Sequence, residues 1–209
     1  KRFGFSWMAT DQGILYNSLQ REKNSGPQYH HFRPYIAAYQ GHEIMVVFRD
    51  LELSNLLSFS YSKQSPKHAV GDLMSRIKSI GERFSGKGEP PFVGIFLDGE
   101  NPWPNYTGGG EEFLRVLYEQ LSSQPWVKTE TISSYLKSCP PKEVLHNLHS
   151  GSWIDSNFRI WIGHTEKNRG WDLVAKTRAF LVEKGDQASP EKKQGAWDAL
   201  LSAEGSDWF

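Results

Sequence analysis

The sequence is poor in three things. It has one cysteine, Cys139, which excludes an internal disulfide and any CxxC-type zinc site. It has no net charge: 24 Lys and Arg balance 24 Asp and Glu, a poor footprint for binding nucleic acid through its phosphates. It has no apolar run near the ~18 residues that a bilayer span requires, so neither nucleic acid nor membrane is an expected partner. With 23% charged and 38% hydrophobic residues, the 209-residue chain reads as folded and globular.

Aromatic residues are plentiful: 12 Phe, 8 Trp and 8 Tyr. Trp and Tyr pair an apolar face with a polar edge, which serves a large core or a site for something flat and partly polar. The chain opens on Lys1, runs at once into Phe3-Gly4-Phe5-Ser6-Trp7, and stops at Asp207-Trp208-Phe209. Ends so apolar are expected to be cuts within a longer protein. No signal peptide is visible, which in a chain cut at its start says nothing about export; a cytoplasmic location is the expectation.

Strands are expected over Phe3–Ala9, Arg33–Tyr39, Glu43–Phe48 and Phe92–Leu97, the last being the best in the chain. Ile44–Phe48 is apolar on both faces, as in a covered parallel strand. Helices are expected over Leu51–Phe59, His68–Phe84, Glu111–Leu121, Trp171–Glu183 and Glu191–Ala203. Gln12–Ser25 reads as helical or irregular until Gly26-Pro27, and Thr129–Leu136 as a strand and a short helix. Alternation of strand and helix to about residue 140 argues for an α/β fold with parallel strands, followed by a helical tail.

Ligands of parallel α/β folds sit at the carboxyl ends of the strands. Three expected strands end in charge there, at Trp7…Asp11, Arg49-Asp50 and Asp98-Gly99-Glu100. An acid in that position also caps helices, so each signal alone is weak. Asp98 and Glu100 are expected on one side by alternation. A carboxylate with an apolar strand behind it and a second acid nearby suits a general acid. Asn101, Trp103 and Tyr106 follow, and carboxylates beside aromatic rings are the make-up of a sugar site. His30-His31 and His146 with His149 lack ligand-like spacing, and no metal or cofactor is expected. Gly108-Gly109-Gly110-Glu111 lacks the Lys-Ser/Thr of a phosphate loop.

At Leu97-Asp98-Gly99-Glu100-Asn101-Pro102-Trp103 the sequence resembles glycoside hydrolase family 57, the retaining α-glucan enzymes, and within it the α-amylase and amylopullulanase branch. The resemblance also rests on Gly4-Phe5-Ser6-Trp7-Met8-Ala9-Thr10-Asp11, on Phe48-Arg49-Asp50-Leu51-Glu52-Leu53-Ser54, on Gly151-Ser152-Trp153-Ile154-Asp155 through Ile160-Trp161-Ile162-Gly163, and on the closing Ala203-Glu204-Gly205-Ser206-Asp207-Trp208-Phe209. It implies part of an incomplete seven-stranded (β/α) barrel over residues 1–140, then the start of a helical bundle over 141–209. Asp98 matches the family's general acid/base. Trp7, Asp11, Arg49, Asp50, Glu100, Asn101, Trp103, Trp153, Asp155, Asp207 and Trp208 are the expected substrate contacts, with an α-glucan as partner. The family's nucleophile, a Glu upstream of the Trp7 motif, has no counterpart in these residues. Gln12 stands where relatives often carry Glu, and Asn55 where they often carry Asp. Glucan transfer or branching, glucan binding without catalysis, and a metal-dependent deacetylase-like barrel are the alternatives. The sequence leaves the oligomeric state open.

Overall fold

A computed structural model of the chain describes residues 4–24, 26, 30–86 and 88–208. It divides into two compact units, Lys1–Ser156 and Asn157–Phe209. Phe3, Ser25, Pro27 and Phe209 lie outside the described residues.

In the first unit, β1 (Trp7–Asp11) ends where Asp11 accepts the backbone N–H of Gly13 at 2.8 Å, capping α1 (Gln12–Arg21). Ile14, Leu15, Ser18 and Leu19 give that helix one buried face. β2 (Tyr35–Tyr39) and β3 (His42–Arg49) form a hairpin over Gln40 and Gly41, whose φ values of 48° and 77° are those of a two-residue primed turn. α2 (Leu51–Asn55) leaves β3 directly and runs on through a π-helical turn, Leu56–Ser60. Then come α3 (Pro66–Phe84), α4 (Glu111–Ser123), α5 (Ile132–Ser138) and β4 (Val144–Leu145).

The sheet order is β1-β3-β2-β4. β3 is parallel to β1 and antiparallel to β2, and β4 is parallel to β2. The sheet is therefore mixed, not all-parallel as alternation suggested. The two-residue Gln40-Gly41 link is the reason, because it is far too short for the crossover a parallel pair needs. β3 is covered on both faces as expected. Val46 and Phe48 pack against α1 with Ile14, Leu15 and Tyr35, while Val47 packs against Tyr135 and Leu136 of α5. A third cluster joins α2, α3 and α4 through Leu53, Leu57, Val70, Leu73, Phe113 and Val116.

The expected strand Phe92–Leu97 forms no ladder. Its bonds are isolated: Phe92 N–H to the Phe32 carbonyl (2.9 Å), Asp50 N–H to the Gly94 carbonyl (2.7 Å) and Phe96 N–H to Ser54 Oγ (3.3 Å). β3 stops at Arg49 and turns into α2, so the neighbouring backbone acceptors run out and a serine hydroxyl takes the next place. Gly94 runs so close to β3 that a Cβ there would lie 2.6 Å from the Phe48 carbonyl oxygen. Thr129–Leu136 contains no strand; Thr131 caps α5 instead.

The second unit holds α6 (Thr165–Lys184), which begins six residues before the expected Trp171, and α7 (Pro190–Ala203). Arg178 donates through Nε and Nη2 to both carboxylate oxygens of Glu204, each at 2.9 Å. Among the described residues, no helix is long and apolar enough to cross a membrane.

Candidate active site

β1 and β3 lie in register with Asp11 opposite Arg49. Alternation puts both side chains on the sheet face of Val47, and Phe48 and Asp50 on the other. Arg49 is 6% exposed. Its Nε is 3.1 Å from Asp11 Oδ2, a charge contact without hydrogen-bond geometry, and its Nη2 donates to Asn55 Oδ1 at 2.9 Å. The guanidinium carbon lies 4.7 Å from the centre of the Trp153 ring. Burial lowers the Arg49 pKa, opposed by the charges of Asp11, Asp98 and Asp50. Burial also raises that of Asp11, outweighing the Gly13 hydrogen bond and the Arg49 charge.

Past Leu97, Asp98 opens on a cavity of ≈ 200 Å³ whose other walls include Thr10, Arg49, Phe96 and Trp153. Asn101 Nδ2 donates to Asp98 Oδ2 at 2.8 Å. The chain bends from Gly99, so strand alternation does not extend to Glu100, which is exposed and outside the cavity lining. Trp103 also faces elsewhere. Its indole N–H donates to the Gly99 carbonyl at 2.9 Å, and its ring lies 5.6 Å from that of Tyr106. Gly110, at φ 82°, passes close enough that a Cβ would meet the Trp103 ring at 2.7 Å. Trp103 thus staples the Asp98 bend from behind. An exposed carboxylate that shares a cavity with an indole and a buried cation is an arrangement able to exchange a proton with a sugar oxygen while the ring stacks.

The sequence profile of glycosyl hydrolase family 57 matches residues 1–148. The chain belongs to that family. Among solved structures, it is similar to a branching enzyme of the same family from Pyrococcus horikoshii, with 20% identity and a TM-score of 0.69, over 99% of this chain and 45% of that one. A branching enzyme of the family from Thermococcus kodakaraensis, crystallised with glucose, gives 14% identity and 0.63 over 87% and 41%. A 4-α-glucanotransferase from Thermococcus litoralis gives 18% and 0.53 over 92% and 27%. The chain spans less than half the length of each. No curated protein matches the sequence.

The remaining residues expected of a family 57 site are spread more widely. Trp7 stands at the far end of β1, about 13 Å along the strand from Asp11, and its indole N–H donates to Ser133 Oγ of α5 at 2.8 Å. Asp155 is exposed two residues beyond Trp153, at φ 51°. Asp207 and Trp208 belong to the second unit, where the Trp208 indole N–H donates to the Ser202 carbonyl at 2.9 Å.

Asp50 faces away from Asp98. Its Oδ1 accepts the Leu53 N–H at 2.8 Å as the cap of α2, and its Oδ2 lies 2.9 Å from His31 Nε2. Burial favours the neutral acid, but the His31 and Leu53 hydrogen bonds prevail and hold its pKa below the usual carboxylate value. His31 Nδ1 is 2.8 Å from the Tyr16 hydroxyl, completing a Tyr16–His31–Asp50 chain beside a groove of ≈ 400 Å³. Sequence reasoning missed Tyr16, His31 and Asn55 as partners of these residues. Tyr16 and His31 come from segments with no motif of their own; Asn55 sits six residues after Arg49, a spacing that carries meaning only once α2 folds back. Among the described residues, no group of three or more His, Cys, Asp or Glu is placed to hold a metal ion.

Proposed function

We propose that this chain is part of a retaining α-glucan hydrolase of the α-amylase and amylopullulanase type, with Asp98 as general acid/base. Asp98 protonates the leaving glycosidic oxygen and then activates water, or an acceptor sugar, against the glycosyl-enzyme. The carrying observation is the position of Asp98, just past Leu97, on a cavity that Trp153 also walls. Family membership and the fold's likeness to a glucanotransferase and two branching enzymes support the substrate class. Retention needs a second carboxyl about 5–5.5 Å away. Asp11 is committed to Gly13 and Arg49, and Asp50 lies on the opposite face. As the resemblance to family 57 implies, the nucleophile is assigned to a Glu upstream of the Trp7 motif, on an earlier strand of a seven-stranded barrel of which residues 1–140 are the C-terminal part, with 141–209 opening a helical bundle.

The experiment is Asp98→Asn in the intact protein, assayed on maltooligosaccharides. Turnover falls by about a thousandfold while glucan binding persists; normal turnover rules Asp98 out. The commitment of both neighbouring acids also favours a second reading, glucan binding without catalysis. Under it the unsubstituted protein binds maltooligosaccharides and turns none over. Product analysis separates hydrolysis from transfer and branching, and α-1,4 from α-1,6 cleavage.

A further inference from the structure

Arg49 was expected to touch substrate, but its surroundings leave little of it to offer. It is 6% exposed on the central strand, and two sides of its guanidinium are taken by Asp11 at 3.1 Å and Asn55 at 2.9 Å. What remains is Nη1 and the body of the guanidinium, which lines the Asp98 cavity with its central carbon 4.7 Å from the centre of the Trp153 ring. Trp153 itself is 39% exposed and walls the cavity that Asp98 enters. It belongs to a loop with local ties: Ser152 Oγ bonds both the N–H and the carbonyl of Ile154, and His149 Nε2 reaches the Ser156 carbonyl at 2.8 Å.

We propose that Arg49 is a positioning residue, which fixes the Trp153 indole as a wall of the Asp98 cavity and does not itself contact the glucan. This rests on the α-glucan reading above. The indole face is electron-rich and attracts a cation held beneath it, the more so where water is excluded. A guanidinium held by Asp11 and Asn55 cannot swing away, so the ring it meets is held in place. A pre-set ring face spares the ordering cost that a mobile tryptophan would incur when a sugar stacks. Lysine keeps the charge but has neither the plane nor the fork to hold Asp11, Asn55 and the ring together.

The test combines fluorine NMR with kinetics in the intact protein. With fluorotryptophan incorporated, and the Trp153 resonance assigned by Trp153→Phe, Arg49→Lys moves that resonance toward its solvent-exposed position without any sugar present. On maltoheptaose, Arg49→Lys raises KM about tenfold and lowers kcat by much less, the pattern of lost substrate binding. Trp153→Ala does the same, and the double variant is no worse than Trp153→Ala alone. Multiplying effects in the double variant would show Arg49 acting on substrate directly and overturn the proposal, as would an unmoved Trp153 resonance in folded Arg49→Lys. If Arg49→Lys does not fold, Asn55→Ala loosens the same guanidinium with the charge kept, and shifts resonance and KM in the same directions by less; no shift there also overturns it. If the unsubstituted protein turns over no glucan, the enzymatic reading fails on its own, and the resonance still decides the role of Arg49.

Discussion

Asp50 makes two demands on one carboxylate, and replacing it separates them. In Asp50→Ala, α2 loses its cap and His31 Nε2 its partner, both in a site where Asp50 is 6% and His31 7% exposed. A lost cap costs about 1 kcal/mol and a lost charge-assisted hydrogen bond about 1.5–3 kcal/mol, so Asp50→Ala destabilises by about 3 kcal/mol at neutral pH. Asp50→Asn keeps an oxygen for Leu53. Its amide N–H can serve His31 if the ring takes the other tautomer, Nδ1–H then donating to Tyr16, so Asn costs about 1 kcal/mol. The pH dependence has a defined sign. The folded pKa of Asp50 lies below its ordinary 3.8. Its contribution is therefore complete above that value and is lost as pH falls through the lower, folded pKa. Urea denaturation followed by tryptophan fluorescence from pH 7 to pH 3 should find a constant Ala deficit down to about pH 4, shrinking below. An Ala variant within about 0.5 kcal/mol of the unsubstituted protein at pH 7, or one no worse than Asn, would refute the account of a paired, capping carboxylate.

Two further outcomes follow from local geometry. Gly110→Ala, which meets the Trp103 ring at 2.7 Å and holds φ 82°, should cost about 2 kcal/mol, or about 5 °C of melting temperature, by calorimetry. Gly109→Ala, at φ 65° with open space around it, should lower the melting temperature less; equal drops would remove Trp103 from the argument. Burial, with Arg33, His31 and Arg83 nearby, lowers the His30 pKa to about 4. The unfolded chain then binds more protons than the folded one between about pH 4 and 6.5, so acidification in that window destabilises the fold. NMR titration of the ring should find its midpoint near 4, and a midpoint above 6 would contradict its placement.

Much of this was legible in sequence because local chemistry and the fold agree. The apolar run Ile44–Phe48 is covered on both faces, as a strand without polar alternation has to be. Asp11 and Asp50 illustrate how one signal serves two readings: Asp11 ends β1, Asp50 follows β3, and each caps the next helix. What separates them is parity, since neighbours on β3 face opposite ways and Asp50 cannot share Arg49's cavity. Phe92–Leu97 misled because strand propensity describes the segment alone, whereas a ladder needs a partner that continues, and β3 stops at Arg49. Trp103 looked like a platform because its neighbours are acids; only the three-dimensional bend shows its N–H turned back to Gly99.

The parity of β3 bears on which sequence changes this family member can absorb over time. Arg49 and Asp50 are adjacent, yet one serves the Asp98 cavity and the other the Tyr16–His31 side. A point substitution damages one of these networks. A one-residue insertion or deletion between the Gln40-Gly41 turn and Arg49 would invert both, sending the guanidinium toward His31 and the carboxylate under Trp153. Length variation is therefore expected to be purged from the stretch after the turn and tolerated in the loops beyond the helices. The same reasoning makes that stretch a poor place for a tag or a domain graft, though the hairpin tip looks exposed.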